Sequence, residues 1–167
     1  RGGGGGGGAT AAGTGGSSSN NTAGVGGDGA PNAILGPATT YAGGGGGATF
    51  NNTPGAGGSG GGGAGSGSDT NGNAGTTNTG GGGGGAPGQC NVTGGAGGSG
   101  IVVARGTTDS EIFFTTCSAC APVISLDGVN QIAQFKASST LNILDTNCGT
   151  AFDYLVVAGG GAGQGDE

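Results

Sequence analysis

Apolar side chains divide the chain into two regimes. From residue 101 onward, short apolar runs recur about every ten residues, at 101–105 (IVVAR), 111–116 (EIFFTT), 122–126 (PVISL), 131–136 (QIAQFK), 141–144 (LNIL) and 152–158 (FDYLVVA). Runs this short, rich in Ile, Val, Phe and Thr and separated by turn residues such as Asp127-Gly128, predict β-strands. Residues 131–136 and 141–144 alternate apolar with polar, as strands with one wet face do. The run 152–158 is more densely apolar and is predicted to lie more centrally. A β region of about 50 residues can bury only a marginal core, so a covalent staple is expected there.

Before residue 101 this patterning stops. Of the 51 glycines, 44 fall in residues 1–106, where charge is reduced to Arg1, Asp28, Asp69 and Arg105. Composition alone would make this a disordered segment, because glycine loses the most entropy on ordering and offers no side chain to bury. Two features predict order instead. The glycine tracts are short and are punctuated at 17–22 (SSSNNT), 28–32 (DGAPN), 50–55 (FNNTPG), 68–73 (SDTNGN) and 88–93 (GQCNVT). These clusters have turn chemistry, since Asx side chains bond nearby backbone and Gly and Asn accept positive φ. Polyglycine also has an ordered form, an extended threefold helix like polyproline II at about 3.1 Å per residue. Such helices carry no internal hydrogen bonds, but without side chains they can approach closely and bond laterally to several neighbours. Collagen is excluded because Gly does not recur at every third position and only five prolines are present. A calcium loop at Asp69–Asn73 is excluded because Gly80 stands where the bidentate Glu should be.

Charge and chemistry narrow the function classes. The 167-residue chain has a formal net charge of −6, three Lys plus Arg, and no His, Met or Trp. Without His the usual proton shuttle and commonest metal ligand are absent, and without a basic face nucleic acid is not an expected partner. No apolar run approaches the roughly 20 residues needed to cross a bilayer, so membrane insertion is not expected either. Asp145 and Asp153 flank or occupy the last strand, but paired acids need a shaped pocket, and the Ser and Thr residues lack a base to activate them. No enzyme activity and no cofactor are expected.

Four cysteines, Cys90, Cys117, Cys120 and Cys148, suit an oxidising extracellular setting in which small cores are stapled by disulfides. Free thiols are the blander alternative; zinc would need two further ligands and finds no His. Linking Cys148 to Cys117 or Cys120 would leave the other free to reach Cys90, but three connectivities remain open. Sequons at Asn20, Asn51 and Asn91 are possible glycosylation sites.

The end and the start of the chain, "FDYLVVAGGGAGQGDE" and "RGGGGGGGAT", read in succession, resemble the opening of the glycine-rich domains of phage tail-fibre adhesins and large bacterial surface proteins. The stretches "TYAGGGGGATF" (40–50), "NTGGGGGG" (78–85) and "GGAGGSGIVVAR" (94–105) resemble the middle and closing motifs of that family. The closing strand departs from the family in having Gly106 where an aromatic is usual. The resemblance leaves 107–149 uncovered. It implies a lattice of packed polyglycine helices with a role in attachment or fibre structure.

The expected fold is all-β or irregular, a polyglycine II-like lattice over 1–106 followed by a small antiparallel β-sandwich-like domain over 107–158. Because the family order places the opening strand first, residues 159–167 are expected to start a following glycine-rich unit, in a tandem repeat or by strand donation to a neighbour. The junction would then involve Arg1, Phe152, Tyr154, Leu155, Val156, Val157, Asp166 and Glu167. The expected function is a structural repeating subunit of an extracellular filament, with copies of itself as partners. The alternatives are an adhesin tip that contacts a cell-surface or environmental ligand, and a flexible spacer.

Overall fold

A computed structural model describes residues 1–50, 52–88, 91–107, 122–139 and 151–164. Among them there is no helix. The strands are β1 (Ala30–Asn32), β2 (Thr39–Tyr41), β3 (Ile101–Thr107), β4 (Val123–Asp127), β5 (Asn130–Phe135) and β6 (Asp153–Val157). The architecture is therefore all-β and irregular, as the patterning predicts. The predicted strands at 111–116 and 141–144 lie outside the described residues.

Two compact units divide the chain. The first comprises Arg1–Asn32, Thr39–Gly100 and the stretch from Val157 on; the second comprises Ala33–Ala38 and Ile101–Val156. The sequence boundary near 106 thus moves to Gly100, because β3 belongs with the sheet it pairs into. Residues 159–164, read from the sequence as the start of a following unit, pack within the first unit of this same chain.

The first unit is built from extended tracts, here A (2–8), B (11–17), C (22–29), D (42–49), E (53–59), F (61–67), G (71–76), H (79–86), I (93–99) and J (158–164). Their hydrogen bonds recur at every third residue. Gly3, Gly6 and Ala9 donate to Ala48, Gly45 and Ala42 at 2.8, 2.9 and 3.0 Å. Ala23, Gly26 and Gly29 donate to Thr53, Ala56 and Ser59, and Gly82 and Gly85 donate to Gly43 and Gly46. A repeat of three is the periodicity of a helix with three residues per turn, so each tract turns successive N–H groups toward different neighbours.

These bonds define a hexagonal arrangement. Tract D bonds to A, C, E, F and H, and tract H bonds to D, F, G, I and J. C, D, H and I form a central row, E, F and G pack against one side of it, and B, A and J pack against the other. Glycine is required because the tracts touch backbone to backbone. A Cβ on Gly26 would be driven into the carbonyl oxygen of Gly44, and one on Gly29 into that of Tyr41.

A few side chains within the tracts are buried, such as Thr49, Ser66 and Ala86, while on the outer tracts exposed side chains also recur at threes. Thr53, Ala56 and Ser59 are exposed, as are Thr93, Ala96 and Ser99. Reversals between tracts use positive φ at Asn21, Ser68 and Asn91, within three of the predicted turn clusters, and also at Asn78 and Gly60. The β1–β2 pair, in antiparallel register with Ala30 opposite Tyr41, carries tract C into tract D. Tyr41 is buried, and its hydroxyl has no hydrogen-bond partner among the described residues.

Among the described residues the second unit holds four strands of one sheet, in the order β4-β5-β3-β6. β3 pairs antiparallel with β5 (Val103 opposite Gln134), and β4 pairs antiparallel with β5 (Ile124 opposite Ala133). Asp127 faces Asn130 across Gly128-Val129, and Gly128 takes φ 59°, which fits a two-residue hairpin with Gly first. Val103, Ala104, Ile132 and Ala133 on the two central strands are almost fully buried. The expectation that 152–158 lies more centrally is not met among the described residues: there β6 ends the sheet, with Tyr154 71 % and Val156 63 % exposed. Apolar density did not predict position because a strand's neighbours, not its own composition, decide whether its faces are covered.

Two stability measurements check this account. In chemical denaturation, Gly26→Ala should lose about 1–3 kcal/mol or more from overpacking. Gly7→Ala, whose Cβ meets nothing within 4 Å, should be neutral or gain up to about 1 kcal/mol through the unfolded state. Tyr41→Phe removes a buried hydroxyl without a partner and should hold or raise stability by about 1 kcal/mol. A clear loss would mean that the hydroxyl is bonded in solution.

Candidate assembly surfaces

No shaped catalytic pocket emerges from the described residues. The features with chemical potential are a polar clamp, an open trough in the lattice and the free edges of the sheet.

The clamp centres on Asp28, whose Oδ1 accepts from the Ser59 hydroxyl at 2.6 Å and from the Ser59 backbone N–H at 3.1 Å. Thr10 Oγ1 donates to the carbonyls of Asp28 and Gly29 at 3.1 and 2.9 Å. Asp28 thereby ties the end of tract C to tract E, while Thr10 ties it to the chain between tracts A and B. The hydroxyl of Ser59, then its N–H, hold the Asp28 carboxyl below its usual range by favouring the charged form. Among the described residues no group of His, Cys, Asp or Glu could hold a metal ion.

The trough runs along the lattice between tracts A, D, H and J, with a volume of about 820 Å³. Its walls are almost wholly backbone, and Arg1 and Gln164 both line it. Backbone donors and acceptors, not side chains, are what such a surface offers.

Among the described residues the sheet ends on β4 at one side and on β6 at the other. All five residues of β4 are exposed, with Leu126 at 70 % and Val123 at 51 %. On β6 the exposed Tyr154 and Val156 continue a surface begun by Phe152, whose ring lies 6.2 Å from that of Tyr154. Arg105, from β3, reaches across β5 to Asp127 on β4 at 3.3 Å; the pair is partly exposed and contributes a fraction of a kcal/mol.

Of the residues expected at a junction between units, Arg1 and Tyr154 are exposed, while Leu155 and Val157 are half-buried. Asp166 and Glu167 lie outside the described residues, as do all four cysteines and Asn51. Asn20 and Asn91 stand exposed at tract reversals. The structure buries Tyr41 and leaves Phe50 43 % exposed. The trough was missed altogether, although the threefold spacing of non-glycine residues would have disclosed the packing that creates it.

A lattice of laterally bonded polyglycine tracts joined to a small β-sheet defines a glycine-rich structural domain. The chain belongs to the glycine-rich domain family, whose pattern it matches over residues 1–107. No curated protein and no solved structure matches it. Among the described residues no helix is long and apolar enough to cross a membrane.

The Asp28 clamp can be tested by NMR titration. Because the folded pKa is depressed, its stabilisation is present above the unfolded value and is lost as pH falls through the folded one. Ser59→Ala should return the Asp28 carboxyl toward its ordinary range and shift the acid limb of unfolding upward. An unchanged Asp28 titration would show that the hydroxyl bond does not form.

Proposed function

We propose that this protein is a structural repeating subunit of an extracellular filament, assembling head to tail, with no catalytic role. The observation that carries the reading is that β4 and β6 end the sheet on its two sides among the described residues, with apolar side chains exposed on both. Exposed edges are usually blunted by charge, proline or bulges, yet beyond Asp153 at its start β6 carries neither charge nor proline. Addition of the β4 edge of one copy to the β6 edge of the next would continue the sheet, as in strand-addition complexes. It would also bury Leu126, Tyr154 and Val156. Such an interface is heterologous, and unless it closes into a ring it grows without limit.

The glycine-rich lattice suits a load-bearing role, since its cohesion is spread over many backbone bonds and few charges respond to salt. Disulfides among Cys90, Cys117, Cys120 and Cys148, and glycans on Asn20, Asn51 or Asn91, belong to the same extracellular reading. A second reading, a receptor-binding adhesin tip of a phage tail fibre or bacterial surface protein, draws on Phe50. This exposed aromatic sits beside a tract reversal where the Asn21 amide donates to its carbonyl.

Electron microscopy and light scattering of the purified protein test the filament. The parent should form fibres, and Tyr154→Lys with Val156→Lys should leave a folded monomer, since edge charges oppose pairing. A parent that stays monomeric at high concentration, or fibres indifferent to the charged edge, would remove the basis for this reading.

A further inference from the structure

The trough has the shape and bonding of one more lattice position. Tracts A and J flank it in the outer row, while D and H form its floor. Along the floor, D offers the N–H groups of Gly45 and Ala48, which make no hydrogen bond among the described residues, although their carbonyls accept from Gly6 and Gly3. H offers the carbonyls of Gly83 and Ala86, similarly unused, although their N–H groups donate to Gly161 and Gln164. The flanking walls alternate in the same way. Among the described residues, the N–H groups of Gly161 and Gln164 on tract J and the carbonyls of Gly4 and Gly7 on tract A make no hydrogen bond.

Each set is spaced by three residues, and all eight residues line the trough. Around its axis the walls therefore read acceptor, donor, acceptor, donor from A through D and H to J. A threefold polyglycine helix needs this alternation, because its own N–H and C=O groups project in alternating directions around its axis. From Gly43 on, tract D shows the same order with its occupied neighbours: it donates to C and F and accepts from A, E and H.

We propose that the trough is a docking site for an extended glycine-rich strand of a second copy of this chain. The occupant must be poor in side chains, since interior tracts leave no room for a Cβ on their neighbours. A chain with 51 glycines in 167 residues supplies such strands. A tract of about seven residues, roughly 20 Å long, would match the length of tract A. The site rests on the lattice alone and does not depend on the sheet-edge filament.

The probe is a labelled peptide, Gly-Gly-Ala-Gly-Gly-Ser-Gly, copied from residues 94–100. Its Ala and Ser are three apart and so project together, outward from the trough. The blocking variant is Gly3→Ala with Gly6→Ala. Both glycines line the trough, and a Cβ there meets its nearest neighbours, at Ala48 and Gly45, at 3.4 and 3.5 Å. These are ordinary contacts within the chain's own fold, but they place methyl groups where the docked strand would lie. Gly15→Ala, on tract B outside the trough and with nothing near its Cβ, is the control.

Fluorescence anisotropy should show saturable binding in the millimolar range or tighter, weakened at least tenfold in the blocking variant and unchanged in the control. Sedimentation should show self-association of the parent falling in parallel. On the unaltered protein, amide exchange at Gly45 and Ala48 should slow at least tenfold when peptide is added. Absence of binding, equal binding by the blocking variant, or unchanged exchange at Gly45 and Ala48 overturns the site. Peptide binding without self-association overturns the second copy as its occupant. Fibres that persist in the blocking variant while peptide binding is lost would separate this site from the sheet-edge filament.

Discussion

Contact between bare backbones is the interaction from which the rest of this structure follows. Tracts D and H each bond to five neighbours, a number that side-chain-bearing strands cannot reach, because a β-strand pairs on two sides only. Each tract achieves it by turning successive N–H and C=O groups through a threefold helix. One net hydrogen bond contributes about 0.5–1.5 kcal/mol, similar to the roughly 1–2 kcal/mol needed to fix one residue's backbone. An isolated tract therefore has no reason to be ordered. Order comes when several tracts satisfy one another together and their Cα–H groups also lie against facing carbonyls, a weak but repeated contact.

The same requirement explains where side chains are allowed. Positions 53, 56 and 59, like 93, 96 and 99, face outward, so Thr, Ala and Ser occur there without displacing a neighbour. The reversals carry the polar chemistry instead: Asn21, Ser68 and Asn91 take positive φ, and Asp28 with Ser59 and Thr10 fastens tract ends. A cohesive interior made of backbone also leaves backbone as the recognition surface. That is why the trough presents donors and acceptors where a globular domain would present apolar pockets.

Much of this was legible in the sequence. The turn clusters at 17–22, 68–73 and 88–93 each contain a residue with positive φ. The runs at 101–105, 122–126, 131–136 and 152–158 correspond to β3, β4, β5 and β6, within a residue or two. The order of those strands was not legible. Among the described strands the denser apolar run became β6, exposed at the end of the order, while Ile132 and Ala133, in a run that alternates with Gln, are buried on an inner strand. β1 and β2 were missed because "APN" carries no strand signal and "TTY", though its residues favour strands, is too short a run to stand out; they pair because tracts C and D bring them side by side.

Composition and spacing determined that this chain would build from extended glycine tracts interrupted by turns, because only glycine permits approach of that closeness and only Asn, Ser, Asp and Gly favour the reversals. They determined as well that the C-terminal half would form strands. Tertiary structure alone decided which tracts neighbour which, that J joins this chain's own lattice, and that A, D, H and J border an open trough. Glycine tracts are chemically interchangeable, so nothing in their residues distinguishes one partner from another. The choice is made by the lengths and directions of the connections between them.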